Sequence, residues 1–193
     1  LSGAAETFNG AITIAGSSTL TLGAFAFTSS STTGVTGSIL CPATCTGLKT
    51  FTGDVTVNGG GIFDLTAATV APTSSFAGNI VMNGTTFNTG TGATTFTATK
   101  ALSGANNMTF GGAATINNTF TLTNNNTGTV TFSSTIDGGG ASGNFATGLN
   151  SITKFASTVM GSAGATLTPT TSAHTVEYSQ AGAQTVKVPT TNN

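Results

Sequence analysis

The sequence predicts an all-β protein folded as a parallel β-helix, a coil whose short strands stack in successive rungs around one apolar core. Three observations support this prediction. A nine-residue unit occurs three times, apolar residues alternate with polar ones in short stretches throughout, and clusters of Gly and Asn separate those stretches. No run of ten residues shows the 3.6-residue periodicity of an amphipathic helix. A β-sandwich subunit is the alternative architecture, although sandwich strands usually run longer and pair through hairpins.

The repeated unit begins at Phe8 as Phe-Asn-Gly-Ala-Ile-Thr-Ile-Ala-Gly, and the same template recurs at 51–59 and 76–84. Each unit predicts a corner that Gly permits, a strand with two inward apolar side chains, and a second Gly corner. The 25 residues between Phe51 and Phe76 predict one rung, and the 43 residues between Phe8 and Phe51 predict two. Rungs of about 20–25 residues divide the chain into roughly eight.

Between the units, pairs of apolar residues flank one polar residue. These pairs are Leu20 and Leu22, Phe63 and Leu65, Phe120 and Leu122, Val130 and Phe132, Val176 and Tyr178, and Val186 and Val188. The intervening residue is most often Thr, which is β-branched and favours the strand while its hydroxyl faces water. This alternation predicts about fifteen short strands. Gly and Asn at 59–61, 117–118, 124–126 and 138–140 predict corners.

The composition excludes several classes of function. Four Lys and no Arg cannot neutralise a row of phosphates, so we expect no nucleic-acid binding. No apolar run approaches the roughly 20 residues that span a bilayer, so we expect no membrane insertion. A net charge of −1 and thirteen Phe argue against disorder. A surface of hydroxyls and amides with few charges repels its own copies weakly, which favours association.

Cys41 and Cys45 are the only cysteines in the chain. A disulfide in an exported protein and a pair of free thiols are both compatible with them, and the Thr-rich, charge-poor composition favours the disulfide. A metal site is disfavoured because no His, Asp or Glu lies nearby to complete four ligands. The surrounding segment at about 31–48 departs from the repeat. We therefore predict one solenoid domain over 1–193 with an irregular insertion in that segment.

Few residues are candidates for catalysis. His174 is the only side chain that ordinarily titrates near neutral pH, and Glu177, three residues later on a predicted strand, should point to the opposite face. Asp54 and Asp64 are ten residues apart, and Asp137 precedes three Gly as a turn residue. Enzymes with this architecture that cleave polysaccharides need clustered acids and usually a basic partner. We predict no enzyme activity, no catalytic residue, no cofactor and no metal.

Three long stretches resemble a known class of sequence: FNGAITIAGSSTLTLGAFAFTSS at 8–30, the segment at 60–112, and AHTVEYSQAGAQTVKVPTTNN at 173–193. They are similar to the degenerate repeat arrays of secreted bacterial cell-surface proteins, most clearly at 85–95 and 175–186. The resemblance implies a parallel β-helix that forms a stalk, an adhesin or a filament at the cell surface. It supplies no catalytic residues.

We therefore expect a secreted structural protein that assembles by head-to-tail stacking, with copies of itself as partners and cell-surface glycans as a second class of partner. The contacts should involve Leu1, Phe8, Val186 and Val188, because neither end has an obvious cap. In one variant, the arm 1–8 adds as a strand to a neighbour's sheet. In another, the sequence is a slice of a larger array. The alternative function is a monomeric module that binds carbohydrate or ice, which predicts a flat, regular column of Thr.

Overall fold

The computed structural model describes residues 3–140, 142–169 and 173–189. These residues form 23 short strands and no helix, so none of them forms a helix that could cross a bilayer. The strands belong to three parallel sheets that stack as a β-solenoid of about eight rungs. The predicted all-β fold and parallel β-helix are confirmed, and the β-sandwich alternative is wrong.

The chain visits the three sheets in turn. The first sheet contains β1 (Glu6–Phe8), β4 (Phe27–Ser29), β7 (Lys49–Phe51), β10 (Ser74–Phe76), β13 (Thr94–Phe96), β16 (Ala114–Asn117) and β19 (Ile136–Gly139). The second contains β2 (Ile12–Ile14), β5 (Thr33–Val35), β8 (Val55–Val57), β11 (Ile80–Met82), β14 (Lys100–Gly104), β17 (Thr121–Asn124), β20 (Asn144–Thr147) and β22 (Thr166–Pro169). The third contains β3 (Thr19–Thr21), β6 (Ser38–Leu40), β9 (Ile62–Asp64), β12 (Thr86–Asn88), β15 (Met108–Phe110), β18 (Thr129–Phe132), β21 (Ser151–Phe155) and β23 (His174–Tyr178).

The register confirms the rung length that the repeat predicts. Phe76 pairs with Phe51, one rung away. Phe51 pairs with Ser29, which pairs with Phe8, so two full rungs separate the first two copies of the repeat. The expected number of about fifteen strands is too low. Strands such as Thr33–Val35 contain one apolar residue in three, and pairing with the rungs on either side makes them strands where alternation alone does not.

Two rows of aromatic rings, which together form a continuous aromatic column, fill the core. In the first sheet, Phe rings lie 5.3–6.4 Å apart, from Phe8 through Phe27, Phe51 and Phe76 to Phe96. In the third sheet, rings lie 4.8–5.8 Å apart, from Phe63 through Phe87, Phe110, Phe132 and Phe155 to Tyr178. The two rows contact each other across the core, as between Phe51 and Phe63 at 5.4 Å. Stacked and tilted ring pairs at these separations stabilise the core beyond the area they bury.

Asn side chains link rungs at the corner between the second and third sheets. The Asn106 amide donates to the carbonyl oxygen of Gly84 at 2.7 Å, and the Asn126 amide donates to the carbonyl oxygen of Asn106 at 2.8 Å. Each bond joins one rung to the preceding one. The Asn-rich corners therefore satisfy backbone carbonyls that turns would otherwise leave unpaired.

Only part of the segment predicted as an irregular insertion at about 31–48 is irregular. Residues 33–40 lie mostly in β5 and β6, which pair with neighbouring rungs in regular register. The irregular part is the loop that follows Leu40, and it forms the corner between the third and first sheets. Its Ala43 carbonyl accepts a hydrogen bond from Thr69 N–H at 3.0 Å, so it packs on the corner loop of the next rung.

Candidate functional site at the two ends of the coil

The residues considered for catalysis lie apart. His174 pairs in register with Ser151 and shares the inward face of β23, whereas Glu177 points outward. The Glu177 carboxylate lies 2.8 Å from Lys154 Nζ, in the rung beneath. The odd separation of His174 and Glu177 therefore places them on opposite faces, and the carboxylate pairs with a lysine.

The three aspartates each accept hydrogen bonds from backbone N–H groups near a corner or strand end. Asp54 accepts from Asn79 N–H at 2.7 Å, in the next rung. Asp64 accepts from Thr66 N–H at 2.9 Å, and Asp137 accepts from Gly138 N–H at 2.8 Å. Within the described ranges, no three His, Cys, Asp or Glu residues gather as a metal site would require. These carboxylates stabilise turns.

Cys41 and Cys45 form a disulfide across the corner loop of the second rung. Both residues are buried in the core, and Cys45 N–H donates to the Pro42 carbonyl oxygen at 2.8 Å within the same tight loop. The link closes a short loop in which Cys41 N–H also donates to the Asp64 carbonyl oxygen of the next rung at 3.1 Å. The disulfide lies in a corner loop at the side of the coil, one rung from the N-terminal end.

The N-terminal end is the open face of the rung formed by β1, β2 and β3. Each of these strands has a neighbour on one side only among the described residues. Phe8 is 36% exposed although its column is inward, and Ile12 and Leu20 are only partly covered by the core. The predicted contact residue Phe8 therefore lies on this face, and Leu1 lies outside the described residues.

The C-terminal end contains an open cavity of about 400 Å³, lined mostly by apolar side chains that include Leu167, Val176, Tyr178, Val186 and Val188. Tyr178, the last ring of the aromatic column, is 39% exposed, and Val188 is 80% exposed. Val186 extends the first sheet, because it bridges to Val159, which bridges to Ile136. The predicted contact residues Val186 and Val188 thus lie on the open end of the core.

Pro169 lies on the last strand of the second sheet, and its position indicates which edge of that strand is open. Along its column, the N–H groups of Ile12, Thr33 and Val55 each donate toward the following rung, at 2.8–2.9 Å. The register carries this column through to Thr147 and Pro169. The missing N–H of proline therefore faces the open end, where proline on an edge strand breaks no ladder bond.

A column of hydroxyls runs along the outside of the first sheet. The middle residue of each strand points outward, and successive rungs place there Thr7, Thr28, Thr50, Ser75, Thr95 and Thr115. Parallel strands set these hydroxyls about 4.8 Å apart along the axis. Sequence patterns over neighbouring residues do not reveal this column, because its members are 20 or more residues apart in the chain.

Two buried lysines donate hydrogen bonds to backbone carbonyls inside the coil, and the sequence did not predict this role. Lys49 Nζ donates to the carbonyl oxygens of Gly23, Phe25 and Thr46 at 2.5–2.8 Å, and burial lowers its pKa. Lys100 Nζ donates to the Phe76 carbonyl oxygen, and burial lowers its pKa to about 8. The available signal was their strand spacing, because each lysine lies two residues before an inward apolar residue.

Comparison with family models, curated proteins and solved structures finds no match to this chain.

Proposed function

We propose that this protein is a secreted structural β-solenoid that assembles head to tail into a filament, stalk or adhesin at the cell surface. The observation that carries the proposal is the exposure of the core at both ends. Phe8 at one end and Tyr178 and Val188 at the other are partly or largely exposed, although inward residues of the middle rungs are buried.

Open sheet edges support the same function. Strands at the end of a sheet present unpaired N–H and C=O groups, which template pairing with another chain. In solenoids each rung contacts only its neighbours, so a further copy can extend the stack without changing the existing rungs. The low charge favours close stacking, since like charges one rung apart repel strongly. The disulfide in the corner loop is typical of exported proteins.

Electron microscopy of the purified chain, together with sedimentation velocity, tests this proposal. We expect fibres whose abundance increases with protein concentration. A charge on the C-terminal end should prevent them, so Val188→Asp should yield monomers. Val70→Asp is the matched control, because Val70 is also exposed, at 64%, but lies on a corner loop at the side of the coil. Monodisperse globules of the unmodified chain would overturn the proposal.

A monomeric binding module is the second candidate, and the hydroxyl column on the first sheet favours it. A row of Thr and Ser hydroxyls in register on one sheet offers donors and acceptors to a carbohydrate or to an ordered layer of water. Thr50→Tyr should abolish thermal hysteresis or glycan binding by interrupting the row, and Thr131→Tyr on the third sheet should leave it unchanged. Absence of both signals in the unmodified chain would exclude this candidate.

A further inference from the structure

We infer that a second copy docks on the C-terminal cavity in one register, with Val186 paired to Glu6 and Val188 paired to Phe8 of the next copy. The inference rests on the proposed head-to-tail assembly and specifies its joint. It predicts which two strands meet and which side chains meet. A different register at the joint would therefore overturn this inference without overturning the proposed assembly.

The first sheet supplies the register. In every rung, the first residue of its strand donates an N–H to the residue before its partner in the next rung: Phe27 to Leu48 at 3.0 Å, and Thr94 to Ala113 at 2.8 Å. Val159 continues this pattern by donating to the Thr185 carbonyl oxygen at 3.3 Å. The N–H of Val186 is then the next donor in the series, and its equivalent acceptor is the Ala5 carbonyl oxygen of a following copy.

The exposed side chains match in this register. Phe8 belongs to the inward column of Phe51 and Phe76, and Val188 is two residues beyond Val186 on the same inward face. Stacking therefore covers the exposed Phe8 ring with Val188. In the third sheet, Val176 follows Thr153 in the column that begins at Leu20, so these two partly covered side chains also meet.

Charge distinguishes this arrangement from the opposite one. Glu6 is the only charged side chain in the N-terminal rung. At the C-terminal end, Glu177 is paired with Lys154, and Lys187 adds a positive charge between Val186 and Val188. Contact between two N-terminal ends would bury two Glu6 carboxylates against each other, whereas head-to-tail contact buries only one, so the head-to-tail arrangement costs less.

The size of the joint is sufficient for a specific contact. Rungs in the first sheet repeat every 20 to 25 residues, as the pairs Thr94 with Ala114 and Lys49 with Ser74 show. A standard protein interface uses about 20–30 residues on each side.

The second sheet contributes one hydrogen bond fewer to the joint than the other sheets, because Pro169 has no N–H to donate. The first and third sheets therefore set the register.

Cysteine cross-linking tests the register directly. Thr7 and Lys187 are outward residues that lie side by side in the inferred joint, within the 4.4–6.8 Å between Cα atoms that a disulfide accepts. We would mix two differently tagged chains, one Thr7→Cys and one Lys187→Cys, and oxidise them mildly. We expect the mixed disulfide between the two tagged chains as the main cross-linked product, detected on a non-reducing gel.

The matched control replaces Lys187→Cys by Thr185→Cys, which moves the thiol by two residues along the same outward face. A diagonal pair in neighbouring strands is about 7–8 Å apart, so we expect at least tenfold less cross-linking. Equal cross-linking of both pairs, or fibres with no cross-link at Lys187→Cys, would overturn the inferred register while leaving assembly intact. Monomers alone would overturn both proposals. Circular dichroism confirms that each variant folds.

Discussion

Lysine side chains inside the coil illustrate how single residues depend on their surroundings. Lys49 shares the inward column of Phe27 and has no exposed surface. Its three ammonium hydrogens match the three carbonyl oxygens within reach, so its full donor capacity is used. A buried charge of this kind is tolerated because every polar partner is satisfied.

Lys49→Met should destabilise the protein by about 3 kcal/mol, because it leaves the carbonyls of Gly23, Phe25 and Thr46 without their donor. Urea denaturation followed by circular dichroism measures the change. The control is Lys154→Met, which removes an exposed ion pair and should cost about 1 kcal/mol or less. Equal losses in the two variants would contradict the assigned role of Lys49.

Lys100 makes stability depend on pH. Its pKa is about 8 in the folded protein, because burial disfavours the ammonium, against 10.5 for the ordinary side chain. Between these two values the unfolded chain binds more protons, so the free energy of unfolding should increase as pH rises from 8 to 10.

Urea titrations at pH 7, 8.5 and 10 measure this dependence, and Lys100→Met should flatten it. The comparison with the variant is needed because Lys49 contributes in the same direction, while the raised pKa of Tyr178 acts in the opposite direction above pH 10. An unchanged slope in Lys100→Met would contradict the assignment.

At the scale of elements, individual Gly residues of the repeat differ in the space that surrounds them. A Cβ at Gly78 would lie 2.2 Å from the Gly53 backbone, and a Cβ at Gly53 would lie 2.4 Å from the Ser31 backbone. These corners stack directly on one another. A Cβ at Gly59, at the other end of the unit, would meet nothing within 4 Å.

Gly78→Ala should therefore destabilise the coil by about 3 kcal/mol through overpacking of the corner, whereas Gly59→Ala should be close to neutral. The midpoint of thermal unfolding for each variant measures the difference. Similar midpoints for the two variants would show that corner stacking does not restrict this position.

The sequence predicts the strands and corners well where the repeat is strong, as at 51–59 and 76–84. It misses strands such as Thr33–Val35, because one apolar residue in three leaves no alternation to detect. It also cannot distinguish Gly53 from Gly59, since both occupy fixed positions of the same template. The contact that separates them comes from another rung.

At the scale of the whole molecule, Glu6 would oppose the head-to-tail assembly that we propose. It shares the inward column of Phe27, so a second copy over the N-terminal rung would remove its carboxylate from water. Inward charges on an edge strand are a known device that limits edge-to-edge pairing.

Glu6→Gln should strengthen head-to-tail association, because an amide of the same shape costs less to bury than a carboxylate. We expect the concentration at which fibres appear to fall about tenfold, measured by sedimentation. Glu177→Gln, on the outward face of β23, is the control and should change it little. A higher concentration for Glu6→Gln would argue against burial of this residue in the joint.

The candidate site was only partly predictable. Phe8, Val186 and Val188 were expected at the ends because predicted strands lie close to both ends of the sequence and neither end has an obvious cap. The cavity, Tyr178 as the end of the aromatic column, and Pro169 facing the open end depend on which rung lies last. The geometry gives no support to a catalytic role for His174 or the aspartates. His174 and Glu177 lie on opposite strand faces, and the aspartates accept backbone hydrogen bonds near corners or strand ends.

The sequence by itself determined the all-β fold, the rung of about 20–25 residues and the scarcity of charge, because alternation, corner residues and composition are local properties of the chain. The tertiary structure alone decided which side chains share a column. Which residues share a column depends on the number of residues in each rung. Corner loops of varying length change that number by several residues from one rung to the next. The hydroxyl column, the buried lysines and the exposed side chains at the two ends of the core are all products of register.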